Sequence, residues 1–104
     1  MRVPTGYIKQ AEIATGTDAV AKEMAPDVVR IRYAIGEDWS GDPSIQFRVV
    51  LSDAASRGKN LFKIADRVRH RLEENVRPDE MGLIAYFNFR SKTEQDSLKE
   101  PAWM

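Results

Sequence analysis

Cysteine is absent from the 104 residues of this chain. That absence excludes disulfide frameworks, thiol nucleophiles and the common cysteine-built zinc clusters. Histidine occurs once, as His70, so no His-x-x-x-His metal pair exists. Long apolar runs are missing too: no uncharged stretch approaches the ~20 residues that a membrane-spanning helix requires. The opening Met1-Arg2-Val3-Pro4-Thr5-Gly6 has no apolar signal-peptide core, and a cytoplasmic protein is expected. Net charge is lacking as well, with 16 Lys plus Arg against 16 Asp plus Glu. This balance argues against a wholly cationic protein that coats nucleic acid. No GxSxG, Gly-rich phosphate loop or dinucleotide fingerprint occurs. The sequence therefore predicts no cofactor, no metal site and no enzyme.

What is present reads as one folded domain spanning residues 1–104. Hydrophobic residues make up 42% and charged residues 31%, too apolar for a disordered chain and polar enough for solubility. A helical N-terminal segment is expected over residues 1–26. Thr5 or Gly6 opens a short helix through Ile8, Ala11, Glu12 and Ala14, and Gly16 stops it. Thr17 then caps a second helix, with Asp18 in its first turn and Val20 and Met24 one turn apart. Pro26 ends that helix.

From Asp27 the period becomes two. Val29, Ile31, Tyr33 and Ile35 alternate with Val28, Arg30, Arg32 and Ala34, the pattern of a half-buried strand. Gly36 to Pro43 is rich in turn residues, and Ile45, Phe47, Val49 and Leu51 define a second strand, antiparallel to the first. Leu61, Ile64, Ala65, Val68, Leu72 and Val76 then follow helical spacing, with Gly58 near the start, Asn60 as the cap if the helix begins late, and Arg77-Pro78 as the stop. A third strand, Leu83 to Arg90, shows Leu83, Ala85, Phe87 and Phe89 on one side. Residues 91–104 read as a polar tail ending in Trp103 and Met104. With residues 27–90 as its core, the chain is thus expected to be a two-layer α+β sandwich in helix-strand-strand-helix-strand order. Its three-stranded sheet is expected to be mainly antiparallel, with one long helix packed on it; the third strand, which follows a helix, pairs either parallel to the second through a right-handed crossover or antiparallel elsewhere in the sheet.

Over residues 17–90 this order resembles two known arrangements, the type II KH-like RNA-binding domain and the cytoplasmic dimerisation domain of cation-diffusion facilitators. The likeness is one of element order, which unrelated functions share. Arg57-Gly58-Lys59-Asn60 has the basic character of the KH loop but one glycine instead of two. The His and Asp ligands of the transporter domain have no counterpart, so no functional residue carries over from either.

The cations are not spread evenly. Arg57, Lys59, Lys63, Arg67, Arg69 and Arg71 lie on or before the long helix against one acid, Asp66. The sheet face away from the helix is expected to show Arg30, Arg32, Gln46, Arg48, Tyr86, Asn88 and Arg90. Acids gather elsewhere, as Glu37, Asp38 and Asp42 around Trp39, and as Glu94, Asp96 and Glu100 in the tail. The loop acids match no cation-binding pattern. A chain of this size buries only about 65% of its unfolded surface, which favours association. The leading expectation is a small non-catalytic interaction module that acts as a homodimer or as the accessory partner of another protein. Trp39, Trp103 and Met104 are its partner-binding anchors, although packing of Trp103 back onto its own domain is the default for an apolar terminus. The alternative is binding of RNA or single-stranded nucleic acid. Arg30, Arg32, Arg48, Tyr86 and Arg90 on the sheet would act with Lys63, Arg67 and Arg71 on the helix.

Overall fold

The computed structural model describes residues 9–104; the expected helix start at Thr5 or Gly6 lies outside them. Helix α1 runs unbroken over Gln10–Glu23, straight through the predicted stop at Gly16 and the predicted cap at Thr17. Both residues do something other than punctuate. A Cβ on Gly16 would lie 2.9 Å from the Asn75 carbonyl oxygen and 3.2 Å from the Val76 side chain. The glycine therefore permits close helix-helix approach, which outweighs its intrinsic cost of about 1 kcal/mol in a helix. Thr17 is buried, and its hydroxyl donates back to the Ile13 carbonyl at 2.7 Å, the ordinary way a mid-helix threonine is satisfied.

Strand β1 spans Val28–Glu37 and β2 spans Pro43–Leu51. They pair antiparallel with Ile31 opposite Val49, Tyr33 opposite Phe47 and Ile35 opposite Ile45. The alternation fails at the start of β1, where the register shifts between Val28 and Arg30. A bulge inserts one residue and exchanges the faces locally. Val28 is consequently buried, while Val29, expected to face the helix, is 39% exposed.

After β2 a short helix α2, Asp53–Arg57, is capped by Ser52, whose hydroxyl accepts from the Ala55 N–H at 3.1 Å. Helix α3 follows at Leu61–Val76 and carries the chain back across the sheet. A 3₁₀ turn at Pro78–Met81 leads into β3, Ile84–Ser91. Because α3 returns the chain to the end where β2 began, β3 runs parallel to β2, and the strand order is β1-β2-β3. The sheet is therefore mixed and not mainly antiparallel: one hairpin pair and one crossover pair. The α+β class and the helix-strand-strand-helix-strand order hold.

Helices α1 and α3 cover one sheet face. Ile13, Val20, Ile31, Phe47, Val49, Val68 and Leu72 form the centre of the core between the layers. Phe47 stacks on Phe87 with ring centroids 5.3 Å apart. At the rim, Arg71 of α3 grips Glu23 of α1 through two N–H donors at 2.8 and 2.6 Å, a bidentate pair that fixes the helix crossing.

Residues 92–104 are structured and not merely a polar tail. Ser91 and Glu94 form a reciprocal capping box that starts helix α4, Lys92–Leu98. Asp53, at the start of α2, also receives the Thr93 N–H at 3.0 Å and the Thr93 hydroxyl at 2.6 Å. These bonds, with the hydroxyl foremost, hold the Asp53 carboxyl below its ordinary pKa. A second 3₁₀ turn, Pro101–Trp103, then lies across the sheet face away from α1 and α3.

Candidate functional site: the outer sheet face and the open β3 edge

The pairing register arranges the outer face in rows. Arg30, Val50 and Arg90 form the first, Arg32, Arg48 and Asn88 the second, Ala34, Gln46 and Tyr86 the third. The predicted basic face thus assembles, but its first row is occupied by the chain itself. Trp103 is 7% exposed; the Arg90 guanidinium lies over its ring at 4.3 Å, within cation–π range. The same guanidinium donates to Gln95 Oε1 at 3.1 Å and to Glu100 Oε1 at 2.8 Å. Gln95 is buried and donates in turn to the Glu100 carbonyl at 2.9 Å. Arg30 donates to the Trp103 carbonyl at 2.8 Å, and Arg32 to the main-chain oxygen of Met104 at 2.7 Å. Three of the four outer-face arginines therefore hold the C-terminal segment. Arg48 has no hydrogen-bond or ion-pair partner among the described residues and remains beside exposed Asn88 and half-buried Gln46, which bond each other at 2.9 Å.

Trp39 stands at the opposite end, on the loop between β1 and β2, and is 91% exposed. The loop beneath it is firmly built. Asp38 accepts from the Ser40 N–H, the Ser40 hydroxyl, the Asp42 N–H and the Tyr86 hydroxyl, all within 3.0 Å. These donors, the Ser40 hydroxyl foremost, stabilise the charged form and lower the Asp38 pKa from 3.8 to about 2. Bonding to that carboxylate raises the Tyr86 pKa. The acids of this loop thus serve a turn, and Tyr86 is committed to it.

The third feature lies between α3 and β3. As an outer strand of the sheet, β3 has neighbouring strand pairing only through β2 among the described residues. It is eight residues long, contains no proline and bears one charge, Arg90. Such an edge presents unpaired N–H and C=O groups to any extended chain. The other edge, β1, is blunted by its bulge and by Arg30 and Arg32. Two hollows flank the β3 edge. One, of about 590 Å³, is lined by His70, Glu73, Glu74, Asp79, Ile84 and Ala85 among others. The second, of about 510 Å³, is lined by Phe62, Lys63, Ala65, Asp66, Arg69 and Phe89. Phe62 is 85% exposed, and Ala85, Phe87 and Phe89 are half-buried along the strip joining the hollows.

The helix cations divide into two groups. Arg69 pairs with Asp66 and, at 4.0 Å, with Glu73, and Arg71 pairs with Glu23 and Glu74, so Arg71 is a structural clamp. Lys63 and Arg67 are exposed and have no ion pair among the described residues; Arg57 and Lys59 are the same. His70 lies 3.4 Å from Asp66 on the solvent side. No three His, Cys, Asp or Glu residues gather where they would hold a metal ion, among the described residues. None of the described helices is long and apolar enough to cross a membrane.

Sequence reasoning missed the β3 edge, Phe62 and Gln95. The edge follows from strand order, which no local pattern encodes. Phe62 had a readable signal, an aromatic one step off the apolar stripe of α3. The molecule is an α+β domain with a mixed three-stranded sheet, helices on one face and its own C-terminal segment on part of the other. Comparison with protein-family models, curated proteins and solved structures finds no match to this chain.

Proposed function

We propose that this protein is a small, non-catalytic cytoplasmic interaction module. Its binding surface is the open β3 edge together with the apolar strip beside α3. The observation that supports this reading is the combination at one place of an unprotected eight-residue edge and a flanking row of half-exposed apolar side chains. Main-chain groups of the edge supply affinity to an added strand, and side-chain hollows at alternate positions supply specificity. Trp39, carried on a hydrogen-bonded loop at the Ile84 end of the sheet, acts as a second anchor, because the backbone that presents it is already ordered before docking.

The test is selection from a displayed library of random decapeptides against the wild type and Ala85→Lys. A lysine pointing into the hollow beside β3 is accommodated by Glu73, Glu74 and Asp79 but obstructs an incoming strand, the device natural edges use. Enrichment of alternating apolar peptides by the wild type alone supports the reading; equal enrichment, or none, sinks it.

A second reading is favoured by one observation, the group of unpaired Arg57, Lys59, Lys63 and Arg67 beside exposed Phe62. Cations for phosphates next to a ring for stacking suit a single-stranded nucleic acid. Phosphate binding must weaken steeply with salt. Filter retention of mixed single-stranded RNA that is absent at low salt rejects this reading.

A further inference from the structure

We infer that the strand taken up by the β3 edge is β3 of a second copy of this chain, related by a two-fold axis. This rests on the edge-pairing function just proposed and names its partner.

The first support is the distribution of charge along α3 and the turn after it. Residues 59–69 carry Lys59, Lys63, Arg67 and Arg69 against Asp66. Residues 70–80 carry Glu73, Glu74, Asp79 and Glu80 against Arg71 and Arg77. Of these charges, Lys63, Asp66 and Arg69 line the hollow beside Phe89, at the end of β3, and Glu73, Glu74 and Asp79 line the hollow beside Ile84 and Ala85, at its start. A two-fold axis through the middle of β3 makes the two strands antiparallel. It sets the basic half of one copy against the acidic half of the other, twice over. A parallel pairing of the two strands sets like charge beside like and forfeits both pairings. The surface is therefore complementary to itself under the symmetry that most homodimers use.

The second support is the alternation of β3. Ala85, Phe87 and Phe89 face the helix layer, whereas Tyr86, Asn88 and Arg90 face outward. Residues directly opposite in an antiparallel pair point to the same side, so odd positions must meet odd positions for the apolar strips to join. Centring on Phe87 satisfies this: Phe87 meets its symmetry mate, and Ala85 of each copy meets Phe89 of the other. A bulky residue then faces a small one at both ends of the strip. The product is one six-stranded sheet in which neither β3 edge stays open. Phe62, exposed in the single chain, lies beside the joined strip.

The experiment combines light scattering after size exclusion with amide hydrogen exchange, on the full chain over a hundredfold range of concentration. The expected result is a mass of about twice 11.8 kDa, with β3 amides more protected as the dimer fills. Ala85→Lys should weaken the dimer at least tenfold. Two charge reversals supply a variant independent of that site. Lys63→Glu with Arg69→Glu, and Glu73→Lys with Glu74→Lys, should each dissociate alone and regain dimer mass when mixed. A monomer in which the β3 amides not bonded to β2 exchange quickly at every concentration overturns the second copy but leaves the open edge standing. A monomer in which those outward amides exchange slowly overturns both. A dimer unaffected by Ala85→Lys, or charge variants that do not rescue each other, also overturns the proposed interface.

Discussion

Trp103→Ala removes the largest side chain covering the outer sheet face, and its cost can be worked from the structure. The residue is 7% exposed, and an indole of this kind buries on the order of 200 Å². At ~25 cal/mol per Å² that corresponds to about 5 kcal/mol. Residual compactness of the unfolded chain reduces it to about 3–4 kcal/mol. The Arg90 contact over the ring, at 4.3 Å, adds about 0.5–1 kcal/mol. One effect works in the opposite direction. Residues 92–104 can detach while the two-layer core stays folded, so global unfolding registers no more than the free energy with which that segment docks. The expected loss is about 2–4 kcal/mol, read from urea unfolding followed by circular dichroism. A double-mutant cycle with Val50→Ala locates the effect. Val50 is fully buried between Arg30 and Arg90 on this face, so the two losses should fall short of additive by at least about 0.5 kcal/mol. A loss below about 1 kcal/mol for Trp103→Ala, a value typical of surface changes, would refute the claim that Trp103 packs on the sheet in solution.

Three further outcomes are expected. Gly16→Ala should destabilise the fold by about 1–3 kcal/mol, as overpacking does, although alanine is the better helix former by about 1 kcal/mol; a stabilised variant in thermal unfolding would show that α1 and α3 lie further apart than 2.9 Å to Asn75 implies. Asp38, whose folded pKa of about 2 lies below the ordinary 3.8, should stabilise its loop fully above pH 3.8 and lose that contribution as pH falls toward about 2; the indole N–H resonance of Trp39 should hold its position above that window and move within it, and a resonance that moves equally in Asp38→Asn contradicts the assignment. Trp39→Ala and Phe62→Ser, at residues 91% and 85% exposed, should change the stability of the monomer, measured at concentrations low enough to dissociate any dimer, by less than about 0.5 kcal/mol, and a loss above about 1 kcal/mol in either would mean that the side chain is covered within the single chain.

Much of the architecture was legible because it rests on local periodicity. The alternation of Ile31, Tyr33 and Ile35 against Ile45, Phe47 and Val49 defines the hairpin, and the stripe from Leu61 to Val76 marks α3. The misread points depend on tertiary neighbours. Gly16 looks like a helix stop in isolation, and only the backbone of α3 passing at Asn75 explains it. The faces of Val28 and Val29 exchange because pairing with β2 slips by one residue, which the alternation of β1 alone does not reveal. The direction of β3 depends on where α3 delivers the chain. The last helix is a different case, since Ser91-Lys92-Thr93-Glu94 is a capping-box pattern and was readable. Of the candidate site residues, Arg30, Arg32, Arg48 and Arg90 do share one face, as alternation predicts. What alternation could not give was the segment lying on three of them, because that contact joins positions more than 70 residues apart at Arg30 and Arg32.

That segment has a consequence for anything that approaches the outer face. It behaves as a ligand on a short tether, and a tethered ligand sits at an effective concentration on the order of millimolar. A free molecule seeking Arg30, Arg32 and Arg90 must therefore compete with an occupant it can displace but never dilute away. Weak, adventitious anions must compete with that segment for these arginines, whereas Arg48 holds no such occupant among the described residues. The basic face is thus selective by competition: only a ligand that engages several of its rows at once gains access to the first.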